Sequence, residues 1–322
     1  MAAAVGTAAL GVIGFLGDVV TIVPFALSLF ASRRVDEDVF RIFAAFGSAP
    51  DEGTTGFIDQ IRTYNVKEEW IGRWDGNTAI DNGPYSDIAA MGFILMSVSP
   101  DPICISHMTV TCIDGTNWGW PGDWGWACGQ DWHWSNIVNN GKGPAPSGRC
   151  MWLDADQRNG IKAASIKIHW PTFHEQGTPK DKNARNRCGK ANGIRVYDLN
   201  EKGVAYPARK AKPLGNVVRI KRKADRAGRL VVSDIPHQTA SELCQSETSK
   251  GPYFVSVVEG LFCNMETSKL LPLCAKGTDS SAAGCFHLDI VENSTNQTAI
   301  ANPLNPFLKA NNKLNFDPLV GG

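Results

Sequence analysis

AAMGFILMSVS (89–99) and ICISHMTVTCI (103–113) decide the fold class. Both runs are short, rich in β-branched and aromatic or sulfur-containing apolar residues, and separated by Pro100-Asp101-Pro102. Their apolar positions recur at intervals suited to a pleated strand, and neither run is long enough to carry a helical stripe. Six further runs share this character: ASIKIHW (164–170), GIRVYDL (193–199), NVVRIKRK (216–223), RLVVSDI (229–235), YFVSVVEGLF (253–262) and CFHLDIVE (285–292). No long helical pattern lies between them, so crossover helices are not expected and the strands should pair antiparallel. The expectation is a mainly β fold, an antiparallel sandwich or jelly roll. Residues 217–235 read as a hairpin around Ala224-Asp225-Arg226-Ala227-Gly228, whose first strand alternates Val218 and Ile220 with Arg219, Lys221 and Lys223.

The N-terminal 65 residues read differently, as a helical apolar region that makes the whole α+β. Residues 8–30 (AALGVIGFLGDVVTIVPFALSLF) match a bilayer in length but are interrupted by Asp18 and Pro24. Arg33 and Arg34 follow. Three readings fit this stretch: an atypical cleaved signal, a buried pair of core helices, or a segment, residues 8–31, that inserts into lipid. Asp36-Glu37-Asp38 then suit the positive end of a helix running through Val39, Phe40, Ile42, Phe43 and Phe46, with a shorter helix over 55–64. The expected layout is a helical region over 1–65, a β-rich domain over 66–292 and an Asn/Pro-rich arm over 293–322.

Composition narrows the function class. The 322 residues contain 43% hydrophobic and 20% charged residues, a globular balance. Lys plus Arg equals Asp plus Glu at 32 each, which excludes the strongly basic chains that coat nucleic acid. The neutrality hides a division: residues 1–160 hold 9 basic and 18 acidic residues, whereas 180–229 hold 16 basic and 4 acidic. Arg219-Ile-Lys-Arg-Lys223 is the densest basic cluster, and reads either as a solvated strand face or as a polyanion contact.

The nine cysteines all lie beyond residue 103, and none forms a C-x-x-C pair, which argues against zinc ribbons, iron–sulfur clusters and thioredoxin-type sites. Their spacings suit bridges between neighbouring strands or loops, with Cys188, isolated in a basic segment, as the expected unpaired thiol. Cys112 and Cys128 frame the segment between them and are the expected staple for it. Asn293-Ser-Thr and Asn296-Gln-Thr are glycosylation acceptors by sequence. Together these features predict a secreted or surface-exposed protein of an oxidising compartment; the alternative is an intracellular, membrane-associated one.

NWGWPGDWGWACGQDWHW (117–134) holds six of the ten tryptophans. In an extended chain residues i and i+2 share a face, so Trp118 with Trp120, Trp124 with Trp126, and Trp132 with Trp134 each suit a flat aromatic platform. Indole faces stack on sugar C–H surfaces, and Asp123 and Asp131 can accept hydrogen bonds from hydroxyls. Non-enzymatic recognition of a glycan or polysaccharide is therefore the expected function. A membrane-active protein that inserts residues 8–31, with lipid as partner, is the first alternative. A glycoside hydrolase using carboxylates within 114–156 is the second, since its two carboxyls need proximity only in space. Asp154-Ala-Asp156-Gln-Arg-Asn159-Gly160 alternates oxygen ligands as calcium loops do, but its glycine falls at the seventh position and Ser165 occupies the twelfth, so an Asx-type turn is expected. The six histidines show no zinc-helix spacing, and there is no GxSxG elbow, Walker loop or GxGxxG after a strand. No cofactor, metal or nucleic acid is expected.

Overall fold

The computed structural model describes residues 9–16, 19–26, 41–46, 58–65, 67–75, 81–82, 91–98, 102–112, 116–138, 147–157, 159–173, 184–189, 193–198, 230–275, 284–288 and 313–315. The described chain is mainly β. Strands β1 (Ala9–Leu16) and β2 (Val19–Ala26) form an antiparallel hairpin. A second sheet contains β3 (Arg41–Phe46), β8 (Ile103–Thr111), β9 (Asn117–Pro121), β10 (Trp132–Val138) and β11 (Ser147–Leu153), in the order β10-β11-β8-β3, with β9 on β8. The third has six strands. It comprises β4 (Ile58–Asn65), β5 (Trp70–Asp75), β6 (Asp81–Asn82), β7 (Met91–Val98), β12 (Ser165–His169) and β13 (Ile194–Tyr197), in the order β13-β12-β7-β4-β5-β6. Every pairing in these three sheets is antiparallel.

The fourth sheet contains β14 (Leu230–Ser233), β15 (Tyr253–Ser256), β16 (Leu261–Asn264), β17 (Lys269–Pro272) and β18 (Lys313–Asn315). In its order, β17-β16-β15-β14-β18, β14 runs parallel to both neighbours. Two short helices complete the elements used below, α1 (Asp123–Ala127) and α2 (Ala240–Gln245).

Strand β8 organises the core, and its irregular sequence explains how. Ile103 and Ile105 are two apart, as are Met108 and Val110, but the two pairs are out of step by one residue. The pairing with β3 shifts there: Ala45 faces His107 and the next residue, Phe46, faces Ile105. An extra residue, Ser106, resets the alternation, so all four apolar side chains enter one cluster. That cluster joins β8, β9, β11 and α1 to Ile61 of β4, Ile166 and Ile168 of β12, and Ile194 of β13. Two smaller clusters lie in and against the fourth sheet.

The helical expectation for residues 1–65 is corrected wherever that region is described: 9–16, 19–26, 41–46 and 58–65 are strands. The reason is local. Val12-Ile13 and Val19-Val20-Thr21-Ile22-Val23 are β-branched and lose rotamer freedom in a helix, and only Gly17-Asp18 separates the two strands. Ile42 and Ala44 pack on the core from β3, and Ile61 from β4, where alternation rather than a helical stripe buries them. The expected hairpin over 217–235 is also corrected: both edges of Leu230–Ser233 are taken by β15 and β18. Its other half, the basic cluster 219–223, lies outside the described residues, as do Asn293 and Asn296.

All nine cysteines are placed. Four bridges join Cys104–Cys150, Cys128–Cys188, Cys244–Cys263 and Cys274–Cys285. The free thiol is Cys112, not Cys188. Cys112 directly follows β8 and lies inside the core cluster, where a thiol acts as a small apolar group. Cys188 follows the short turn 184–187 and meets Cys128 at the end of α1, so the Trp-rich segment is stapled through Cys188 rather than Cys112. Thiol titration of the unreduced protein should therefore find no reactive group in the native state and one per chain in denaturant. Peptide mapping should place it at Cys112; a label on Cys188 would refute the pairing.

Candidate binding site

The Trp-rich segment uses its three indole pairs in three different ways. Trp118 and Trp120 lie on β9, opposite Val110 and Met108 of β8. Trp118 is half-buried at the margin of the core cluster, while Trp120 is fully enclosed. The second pair is helical, not extended, so Trp124 and Trp126 point in different directions. Trp124 enters the core and meets Phe173 edge to face at 5.1 Å, whereas Trp126 is half-buried. The third pair lies on β10, but the rings of Trp132 and Trp134 meet at 84° with centroids 5.3 Å apart, and both are buried. None of the four buried indoles presents a flat face to solvent.

Two glycines explain why the second Trp-Gly-Trp folds into a turn of helix against the sheet. A Cβ on Gly122 would lie 2.3 Å from the Ile105 carbonyl oxygen, and one on Gly125 would lie 2.5 Å from the Met151 side chain. Side-chain-free positions let α1 sit directly on β8 and β11, which is what drives Trp124 inward.

At the centre of the segment lies Arg149 of β11, with 5% of its side chain exposed. Its guanidinium is 3.9 Å from the Trp126 ring centre, 4.8 Å from Trp134 and 5.3 Å from Trp132. It pairs with Asp123 at 3.5 Å and, more closely, with Glu242 of α2, to which both Nε and Nη2 donate. Asp123 Oδ1 also accepts the Arg149 backbone N–H at 3.0 Å. A planar cation thus fills the space between indole faces and satisfies two carboxylates, a role Lys is too narrow to fill.

Indole N–H groups of the segment and of neighbouring β11 tie this region to residues 239–250. Trp132 Nε1 donates to Ser246 Oγ, Trp134 Nε1 to the Thr239 carbonyl and Trp152 Nε1 to the Lys250 carbonyl. Trp132 and the 248–250 strip also exchange backbone hydrogen bonds. Asp131 Oδ2 accepts the Lys162 N–H at 3.1 Å. Of the expected contact residues, Asp123 and Asp131 are therefore buried with partners inside the protein, and Trp118 and Trp126 are the two indoles that retain solvent-facing surface.

Asp154 is fully enclosed, and its Oδ2 accepts both the backbone and side-chain N–H groups of Asn159. The loop is thus closed by a bond that reaches five residues on, not the two of the expected Asx-type turn. Burial pushes its carboxyl above the ordinary range, a shift opposed by Asn159 and reinforced by the neighbouring Asp156 carboxylate. Burial likewise raises Asp123, against the pull of Arg149. Asp114, the other carboxylate of 114–156, lies outside the described residues.

Three residues escaped the sequence reading. Arg149 and Glu242 are far apart in the chain, and their only signal was the scarcity of basic residues near so many indoles. Trp70 is 57% exposed, more than any other indole whose side chain is described, and follows Lys67-Glu68-Glu69, outside any apolar run. No family model matches this chain, and comparison with curated proteins and with solved structures finds none similar to it.

Removing the guanidinium in Arg149→Ala should lower stability by about 3–5 kcal/mol in urea unfolding, because it strands Asp123 in the interior. Loss of less than about 1 kcal/mol would show that the cage is not a stabilising unit. For Asp154 the sign is set by its raised carboxyl. Stability is fully present below the ordinary carboxylate value and is lost as pH rises through the raised one. Asp154→Asn should abolish that part of the loss, flattening the urea midpoint between mildly acidic and neutral pH. An unchanged slope would contradict the assignment.

Proposed function

We propose that this chain is a secreted or surface-exposed, non-enzymatic binding protein that recognises a carbohydrate through Trp118 and Trp126. One observation carries the reading: four of the six indoles are spent on fixing the segment, while these two keep accessible surface on a backbone already immobilised. An aromatic face held in place before binding loses little conformational entropy when a sugar ring stacks on it. The side chains of Asn117 and Gln130, partly exposed on the same segment, are suited to hydroxyl groups at its margin. Four disulfides support an oxidising compartment. The core cluster shared by the second and third sheets supports a sandwich-like layering beneath the site.

The β1–β2 hairpin favours a second reading, membrane insertion. Its two eight-residue strands contain no charged residue and carry their one acid, Asp18, in the link between them. Among the described residues no helix is long and apolar enough to cross a membrane, which does not bear on strands.

Fluorescence titration with soluble β-glucan, chitin and mannan fragments tests the first reading. Trp118→Ala and Trp126→Phe should each weaken binding about tenfold, the equivalent of roughly 1.4 kcal/mol, with far-ultraviolet circular dichroism unchanged. Equal affinity in both variants would remove the stacking role. Dye release from anionic liposomes tests the second reading: it should disappear when residues 1–34 are deleted, and leakage that persists would exclude insertion by the hairpin.

A further inference from the structure

We propose that Cys274, Cys285 and His287 form a redox-gated zinc site, closed as a disulfide in the oxidised protein and opened to Zn²⁺ by a dithiol reductant. The ligand atoms of the three side chains all lie within 4.8 Å of one another. The arrangement is built by backbone pairing. The Cys274 N–H donates to the Phe286 carbonyl at 2.9 Å, and the Phe286 N–H donates to the Pro272 carbonyl at 2.8 Å, which sets the 284–288 segment beside the end of β17. Phe286 is then locked by stacking on Phe262, with ring centres 3.9 Å apart and planes inclined by 8°. In this extended pairing Cys285 and His287 flank Phe286 and share the opposite face.

The second, independent observation is the histidine itself. His287 is 9% exposed, and its Nε2 is buried with no hydrogen-bond partner. A buried ring nitrogen without a partner costs free energy unless something binds it, and a metal ion is a ligand suited to imidazole beside sulfur. Two thiolates and one imidazole are a borderline-soft set of the kind zinc selects, and they leave a fourth position for water.

The same geometry makes this bridge the one to open. It closes the shortest loop of the four, with a separation of 11 residues, so it removes the least entropy from the unfolded chain. Cys274 and Cys285 are partly exposed, as are Cys128 and Cys188, whereas Cys104, Cys150, Cys244 and Cys263 are enclosed; of the two accessible bridges, Cys274–Cys285 closes the far shorter loop. The chemistry balances without a further reactant. One thiolate of the dithiol attacks a bridge sulfur, the S–S bond breaks, and the second thiolate releases the mixed disulfide. The dithiol leaves as a cyclic disulfide, having supplied two electrons, and Cys274 and Cys285 become thiols. Zinc binding then expels both thiol protons.

The test uses the full chain, reduced briefly with dithiothreitol, desalted without oxygen, and mixed with Zn²⁺ alone. Peptide mapping after alkylation identifies the opened bridge. Reduced wild type should retain one zinc per chain above the level held by Cys274→Ser/Cys285→Ser treated identically, and oxidised wild type should retain none there. His287→Gln should weaken zinc binding roughly tenfold or more. It keeps the disulfide, so its fold is checked in the oxidised form. Zinc should also raise the Tm of reduced wild type and leave that of reduced His287→Gln unmoved. Zinc held equally by the double serine variant, or equally well by His287→Gln, would overturn the proposal.

Discussion

A single buried guanidinium ties the second sheet to α2, beside the fourth. Arg149 lies on β11, yet the carboxylate it binds most closely is Glu242 of α2, and the indoles that enclose it come from α1 and β10. Removing such a charge from water is costly, and only complete compensation makes the arrangement stable. Compensation is supplied here by two carboxylates and by the faces of three indoles, two of them buried. Once Arg149 is placed, the indole N–H groups of Trp132, Trp134 and Trp152 have fixed directions, and residues 239–250 supply their acceptors. Side chains of the second sheet thus form part of the cluster that underlies the fourth.

This constraint explains why so many tryptophans fall in one segment. A sheet that must cover a cation needs wide, flat, weakly polar side chains with one donor each, and indole meets all three conditions. The cost is that most of the aromatic surface is used internally. In the proposed carbohydrate recognition, Trp118 and Trp126, at the margin, would be the contact surface and would gain from the rigidity that the other four provide.

The mainly β class was legible because β-branched residues and turn residues alternate on a short scale from residue 89 onward. The strand assignment of ICISHMTVT was readable too, but its burial on both faces was not, since that depends on the bulge at Ser106 and on which neighbours cover each side. The N-terminal region was misread because an apolar run with glycine and alanine satisfies both helix and strand patterns, and pairing decided the outcome. Cysteine spacing pointed to local bridges. It left the pairing itself open: two bridges have short separations of 19 and 11, and two span 46 and 60 residues and follow from strand order rather than proximity in the chain. The indole cluster was visible as a composition anomaly, but its charge partner was not, because ion pairs across 93 residues leave no periodic trace.

The four bridges divide the stabilising work in a way that bears on function. Cys104–Cys150 links β8 to β11, and Cys128–Cys188 ties the end of α1 to a distant turn, so both reinforce the body around Arg149. Cys244–Cys263 fastens α2 to β16, and so fixes the element that carries Glu242. These three hold residues whose displacement would expose a buried charge. Cys274–Cys285 holds nothing of that kind. Its neighbourhood is already ordered by the Phe262–Phe286 stack and by backbone pairing to β17. A cross-link that adds little to the fold, lies partly exposed and adjoins an imidazole whose Nε2 has no hydrogen-bond partner is the one whose opening leaves the remainder intact. Opening that bridge is therefore separable from the integrity of the Trp-rich segment.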